Sequence, residues 1–250
     1  MEEGVGTYRR RAMTSEKASY VKKEGHRVEK KYAFLIEGKV VKGTGKADVI
    51  DKTGKNHSVK AAQKKWQIFL YGKNRFKEDF GEIGKIFINC INSFPVKRED
   101  YLSNKDVYKI QLANNMLDLK NYLLNDKNKK NFLFKAFFND EEVDYFTVFC
   151  NNFFHVFNAK DVIKTLFSNI EVRNSKARTR LQRDNQKVIF KYGTTVGEIE
   201  MRNDSDVHYR KVKFWMSKEK MLNLLLENLS PCYEVNKLIF YGNAQNDFLI

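Results

Sequence analysis

From Ser15 onward apolar positions return at mixed three- and four-residue spacings: Tyr20, Val21, Val28, Tyr32 and Leu35 within SEKASYVKKEGHRVEKKYAFLIEG. That period predicts helix, with Gly25 dividing it in two and Gly38 stopping the second half. A glycine-bearing link, KVVKGTG, leads into two short arms, KADVI and HSVKA. DKTGK joins them, and its Gly54 can take positive φ, so the pair predicts a hairpin centred near Thr53 and Gly54. Trp66 to Tyr71 and FGEIGKIFINCINSF then resume helical spacing. The next helix is predicted over 105–124, with Val107, Ile110, Met116, Leu117 and Leu124 on its apolar face.

Beyond the charged NDKNKK and the Phe-rich NFLFKAFF comes an acidic NDEEVD, then strands YFTVFCN and FFHVFNA and a short helix, AKDVIKTLF. The last third alternates. KVIFKYGTTVGEIEMRND reads as two strands turning near Gly193, and HYRKVKFWM as another, followed by the amphipathic SKEKMLNLLLENL. No internal repeat and no Ser/Pro-rich linker interrupts the chain, so the pattern predicts one mixed α/β domain over 1–250.

Composition adds a partner class. The 250 residues are 42% hydrophobic, enough for a sizeable core, and Lys and Arg exceed Asp and Glu by a net charge of +15. Such an excess suits a polyanion, because neutralised phosphates release condensed counterions. The plain alternative is a solvated basic surface. Cys90, Cys150 and Cys232 are scattered in apolar settings, as reduced core thiols of a cytoplasmic protein would be. With no CxxC pair and four histidines far apart, a structural zinc site is not expected. Residues 1–14 are basic and read as frayed, without the apolar core of a secretion signal, and no apolar run is long enough for a membrane span.

The hairpin offers chemistry. Side chains alternate along a strand, so Ser58 and Lys60 share a face, and the hairpin register brings Asp48 to it. A carboxylate there can hold Mg²⁺, and a lysine beside it can orient a water or offset phosphate charge. The alternative is a surface Asp–Lys pair worth well under about 1 kcal/mol.

The order Glu29, G-x-G-K-A-Asp48, Ser58-Val59-Lys60 and Gln67-x-x-x-Tyr71 resembles the PD-(D/E)xK nuclease superfamily, and within it type II restriction endonucleases. The Q-x-x-x-Y element is similar to the RecB-like branch. The matched stretch lies within a catalytic core at about 15–75. The resemblance implies a central mixed sheet flanked by helices, with a β-rich C-terminal part that reads DNA. It implies Asp48 as a Mg²⁺ ligand, Val59 as a carbonyl ligand, Lys60 as the catalytic lysine, and Glu29 as an accessory acid from the first helix. Gln67 and Tyr71 would position the DNA backbone or the lysine. Ser58 departs from the pattern, which has an acid at that place. Glu29 is the first candidate to replace it, with Glu37 behind it, while Gln63 could supply only an amide oxygen.

Base reading needs Arg for guanine and Asn or Gln for adenine. Residues 171–216 supply Arg178, Arg180 and Arg183, then Arg202, Asn203, Asp204, His208, Tyr209 and Arg210. The expectation is a Mg²⁺-dependent, site-specific endonuclease for double-stranded DNA in a restriction system, hydrolysing phosphodiesters with metal-activated water. A homodimer would suit a palindromic target. Two other readings stand beside it: a non-catalytic nucleic-acid-binding protein on a degenerate nuclease fold, and a less specific RecB-like repair nuclease.

Overall fold

The computed structural model describes residues 15–43, 45–61, 64–140, 142–180 and 182–245. The expectations for 1–14, Thr44 and Gln63 lie outside the described residues. Helix α1 (Ser15–Leu35) runs through Gly25 as one piece. A mid-helix glycine costs only about 1 kcal/mol, and Val28, Tyr32 and Ile36, all buried, hold the helix to the sheet beyond it. The stop falls one residue before the expected Gly38: Glu37 takes the left-handed conformation with φ 53°, and the Gly38 N–H closes the helix end on the Ala33 carbonyl at 2.8 Å. A side chain there would meet the Ile50 carbonyl at 2.6 Å, so the close approach of helix end to sheet requires glycine.

Three short strands follow as an antiparallel meander, β1 (Lys39–Val40), β2 (Val49–Ile50) and β3 (Asn56–Lys60). Strand β4 (Lys65–Tyr71) leaves this meander for a second sheet. Five helices come next: α2 (Lys73–Asp79), α3 (Gly81–Asn92), α4 (Arg98–Ser103), α5 (Lys105–Leu124) and α6 (Asp126–Phe138). Then β5 (Tyr145–Cys150), β6 (Phe153–Asn158), α7 (Ala159–Asn169), β7 (Glu171–Asn174), β8 (Lys187–Tyr192) and β9 (Thr194–Met201) follow. A 3₁₀ turn (Asp206–His208) precedes β10 (Val212–Ser217), α8 (Lys218–Asn228), β11 (Pro231–Val235) and β12 (Leu238–Tyr241).

The fold is mixed α/β with a mixed sheet flanked by helices. The first sheet has the order β1-β2-β3-β5-β6-β12-β11, with β3–β5 and β6–β12 parallel. The second, β4-β10-β9-β8-β7, is antiparallel throughout. Four of its five strands come from the C-terminal third.

Two expectations about local structure need correcting. Trp66 to Tyr71 is a strand, since six apolar-rich residues fit either period and pairing with β10 decides between them. The apolar face of α5 is also different. Leu112, Met116, Leu119 and Leu123 are buried, whereas Val107, Ile110, Leu117 and Leu124 are exposed and only Met116 of the expected set faces the core. The helix carries aliphatic residues on two opposite sides, so spacing alone could not choose between them.

A buried polar chain ties α1, the hairpin and β5 together. His57 Nε2 is 3.1 Å from Asp51 Oδ2, His57 Nδ1 is 2.9 Å from the Tyr32 hydroxyl, and Thr147 Oγ1 donates to that hydroxyl at 3.1 Å. Asp51 also accepts from the Thr53 N–H and hydroxyl and from the Lys55 N–H, closing the turn. Burial pushes the Asp51 carboxyl up, but His57, Thr53 and the Lys55 amide outweigh it and hold it down at about 2. Burial pulls the His57 imidazole below its ordinary 6.5, against the pull of Asp51. The unfolded ring therefore takes up a proton as pH falls through 6.5 while the folded ring still resists it, so this stabilisation is complete above 6.5 and declines in acid. His57→Gln should flatten the loss of stability between about pH 6.5 and 5, by at most about 1.4 kcal/mol per pH unit. Urea unfolding across that range checks this, and an acid slope identical to the parent's would contradict it.

Candidate active site and nucleic-acid interface

The hairpin register is the one expected: Val49 pairs with His57 and Ile50 with Asn56, and the Asp48 N–H donates to the His57 carbonyl at 2.8 Å. Asp48 thereby stands opposite Ser58. Three donors converge on its Oδ2: the Val59 N–H at 2.7 Å, Lys60 Nζ at 3.3 Å and Ser58 Oγ at 3.4 Å. Lys60 Nζ also donates to Ser58 Oγ at 2.7 Å. Asp48, Ser58 and Lys60 thus form one part-buried cluster, and Ser58 acts as a spacer between lysine and carboxylate. Among the described residues no donor reaches Oδ1.

Alternation along β3 decides which other groups can join them. His57 and Val59 face α1, where Val59 packs in one apolar cluster with Val28, Tyr32 and Ile36. Ser58 and Lys60 point to the opposite face, beside their β5 partners Phe146 and Val148, which belong to the main core. Glu29 sits on α1, and its carboxylate is bonded to His26 Nδ1 at 2.8 Å. The structure therefore does not bring Glu29 to Asp48 and Lys60, because the sheet stands between them. Glu37 is exposed at the end of α1, 3.5 Å from Lys52 Nζ.

Sequence reasoning missed two groups that do lie on the Asp48 side. Lys46 Nζ donates to the Ile68 carbonyl at 2.8 Å, joining the hairpin to β4. Burial, and next the nearby Lys60, pull the Lys46 ammonium down to about 8, against the attraction of Glu142 and Asp48. Glu142 accepts from the Lys46 N–H at 3.0 Å and from Asn139 Nδ2 at 2.8 Å. A side chain at position 45 would meet Glu142 Oε1 at 2.5 Å, so Gly45 is what lets this carboxylate approach the hairpin. The GKAD spelling carried a signal for that approach, but nothing in the sequence pairs it with NDEEVD.

Gln67 and Tyr71 do not share a helix face. They lie on β4, where a register irregularity opposite Phe214 and Trp215 turns them to different sides. Gln67 is exposed opposite Trp215, while the Tyr71 ring stacks on Phe69 at 4.8 Å, with the Arg75 guanidinium 5.6 Å from the centre of the Tyr71 ring.

The outer face of the second sheet floors a cleft of about 2080 Å³. Its walls are the β7–β8 loop, α8 and the β5–β6 turn at Cys150 and Asn151. Thirteen Lys and Arg but only four Asp and Glu line it, which makes it a basic concave surface. On the floor, Lys187 is 2.8 Å from Glu198 and 2.9 Å from Glu200, and Lys65 Nζ lies 3.4 Å over the Trp215 ring. Burial opposes the Lys187 charge, but Glu200 and Glu198 outweigh it and keep the ammonium protonated. Lys60 is at the end of β3 that pairs with Val148, two residues before the Cys150 of the cleft wall, so the cluster and the cleft share one end of the first sheet. Asp48 and Lys60 themselves are outside the cleft lining.

The proposed base readers divide. Arg178, Arg183, Arg202, Asn203 and Asp204 line the cleft, and Arg180 is exposed in the same loop as Arg178 but off the lining. Arg202 is held to Asp204 by bonds of 2.8 and 2.5 Å. Asn203 Nδ2 donates to the Tyr101 hydroxyl at 2.7 Å, so both are partly committed. Tyr209 and Arg210 are anchors of the body: the Tyr209 hydroxyl donates to the Pro95 carbonyl at 2.9 Å, and Arg210 reaches the Ile91 carbonyl at 3.4 Å. His208 is half-buried, and its Nδ1 has no partner among the described residues. These three lie off the cleft lining.

No protein family, curated protein or solved structure matches this chain. Among the described residues no helix is long and apolar enough to cross a membrane, and no group of three or more His, Cys, Asp or Glu side chains is gathered for a metal ion.

If the cleft holds nucleic acid, removing a free rim cation should weaken binding on every sequence alike. Arg178→Ala and Lys191→Ala are each expected to lower the salt slope of duplex binding by about one. Arg210→Ala should leave that slope unchanged. Fluorescence anisotropy at several salt concentrations checks this, and equal slopes in all three variants would contradict it.

Proposed function

We propose that the chain is a Mg²⁺-dependent, site-specific endonuclease for double-stranded DNA, acting in a type II restriction system. The observation that carries this reading is the Asp48 carboxylate 3.3 Å from the Lys60 ammonium, with Ser58 and Val59 between, at the end of a sheet that adjoins a basic cleft. The PD-(D/E)xK-like order of Asp48, Val59 and Lys60 supports it.

The residues fit a loosely held Mg²⁺. That ion keeps several waters and is often bound by one or two carboxylates together with substrate phosphate. Asp48 would hold it through Oδ1, with the Val59 carbonyl beside it and Glu142 as the second acid on the same face. When bound, the ion supplies charge neutralisation at the phosphate and lowers the pKa of an attached water. The chain's own residues do the remainder. Lys60, fixed by Asp48 and Ser58, presents a positive charge to the developing negative charge of the phosphate. Cleft cations hold the DNA backbone, while Arg178 and Arg183 stand on its rim where base edges could be reached.

A second reading keeps the cleft without the chemistry: a nucleic-acid-binding protein on a degenerate nuclease fold. Position 58 carries a hydroxyl, and three donors occupy Asp48 Oδ2, which favours this second reading. Digestion of unmodified plasmid with Mg²⁺ separates the two. Discrete fragments with uniform ends are expected; intact plasmid would favour the binding protein, and a smear the less specific nuclease.

Asp48→Asn and Lys60→Ala should each abolish cleavage and leave binding largely intact. Ser58→Ala should cost little, since it removes a hydroxyl and no charge. Glu142→Gln should raise the Mg²⁺ concentration needed for half-maximal cleavage, whereas Glu29→Gln, on the far face of the sheet, should not. A Glu29→Gln enzyme with a raised Mg²⁺ requirement beside a normal Glu142→Gln enzyme would reverse the assignment of the second acid.

A further inference from the structure

Helix α5 presents Val107, Ile110, Asn114, Leu117, Asn121 and Leu124 along one side. Their spacings alternate between three and four, the heptad spacing of a two-helix seam. All six are exposed, and the four aliphatic members are 54%, 49%, 37% and 55% accessible in chain order. The opposite side, Leu112, Met116, Leu119 and Leu123, packs into the core. The helix is therefore already anchored, and the heptad stripe is surplus to the fold of one chain.

We infer that this stripe is the contact between two copies of the chain, with the two α5 helices side by side and parallel about a two-fold axis. The asparagines select that occupant. With Val107 at an a position, Asn114 and Asn121 are also at a, and Ile110, Leu117 and Leu124 are at d. A parallel pair places each asparagine opposite its own copy, where the two amides hydrogen-bond, and each aliphatic residue opposite an aliphatic one. An antiparallel pair would set Asn121 against Ile110 and Asn114 against Leu117, burying amides without partners.

Charge points the same way. The positions flanking the seam contribute Asp106, Asp118 and Lys120, which leaves this face close to neutral on a chain of net charge +15. Two copies can meet here without the repulsion that any cleft-to-cleft approach would meet. Of the nearby cations, Arg183 is paired with the flanking Asp106 at 3.4 Å. Lys109, on another side of α5, and Arg183 both line the cleft, so the seam runs beside the cleft wall rather than across its floor.

The stripe spans about 27 Å of helix at 1.5 Å per residue. A single helix seam buries less than the roughly 800 Å² per partner of a standard interface. The dimer is accordingly weak, with a dissociation constant on the order of micromolar. Under the nuclease reading, it would set two clefts about one axis, as a palindromic site needs. The dimer itself does not depend on that reading.

Sedimentation equilibrium on the full chain tests the inference without any DNA. Concentration-dependent dimers are expected for the parent chain, and only monomer for Ile110→Glu/Leu117→Glu, whose exposed side chains can be replaced with the circular dichroism spectrum preserved. Parallel pairing has its own readout: Asn114→Cys in a Cys232→Ser background should cross-link to its own copy under mild oxidation. Monomer at about 100 μM for the parent chain, dimers surviving in the double glutamate variant, or no cross-link through position 114 would each overturn it.

Discussion

The contact on which the arrangement rests is the buried His57 ring, held between the Asp51 carboxylate and the Tyr32 hydroxyl. It joins the hairpin turn to the first helix, and through Thr147 to the strand that pairs in parallel with β3. An imidazole in this setting cannot be replaced by an apolar residue without leaving Asp51 and Tyr32 short of partners, which is expensive in a dry interior. By fixing His57 toward α1, it also fixes the parity of β3. Ser58 and Lys60 must then face the other way, and a one-residue slip would exchange the two sets. The chemistry proposed for Asp48 and Lys60 is thus set by a polar network on the opposite side of the sheet.

That parity explains the division of labour between the two faces. The α1 side is a closed layer of Val28, Tyr32, Ile36, Val49 and Val59, stabilised by burial. The other side is open at the end of β3, where Lys46 ties the hairpin to β4 and so to the second sheet. The second sheet then turns its outer face to the basic cleft. On the floor Lys187 is paired with both Glu198 and Glu200, so part of the floor charge is neutralised and much of the charge open to a polyanion lies on the rim and walls. Attraction from the rim with a nearly balanced floor suits a ligand that must be held by its backbone yet remain free to slide.

Much of this was legible in local pattern. The hairpin register follows from two short arms and a Gly54 turn, and the bounds of α5 follow from helical spacing. The Asp48, Ser58 and Lys60 cluster follows from alternation along β3 together with that hairpin register. What could not be read depends on distant pairing. β4 is a strand because β10 lies beside it, and Glu142 reaches the hairpin because β5 runs parallel to β3 from the far side of five helices. Nothing local marks Asp51 as the buried partner of a histidine six residues on. Glu29 had the right residue type on the right helix, but the facing of a strand that follows it in the chain places it on the wrong side. The two-sided α5 hid its core face for a related reason: one aliphatic stripe serves the core and the other is left at the surface.

Backbone amide shifts offer the most direct view of whether the hairpin is a metal-dependent nuclease site. The Val59 N–H donates to the same Asp48 carboxylate that would hold Mg²⁺, so its resonance is a local reporter of that carboxylate. A Mg²⁺ titration of the isotope-labelled chain with a short DNA duplex should shift Val59, Lys60 and Glu142 together and leave Glu29 and its neighbours unmoved. Asp48→Asn should remove those shifts while the cleft resonances still respond to the duplex. If Val59 stays fixed at millimolar Mg²⁺ with duplex bound, or if the shifts centre on Glu29, the hairpin is not the site proposed for it.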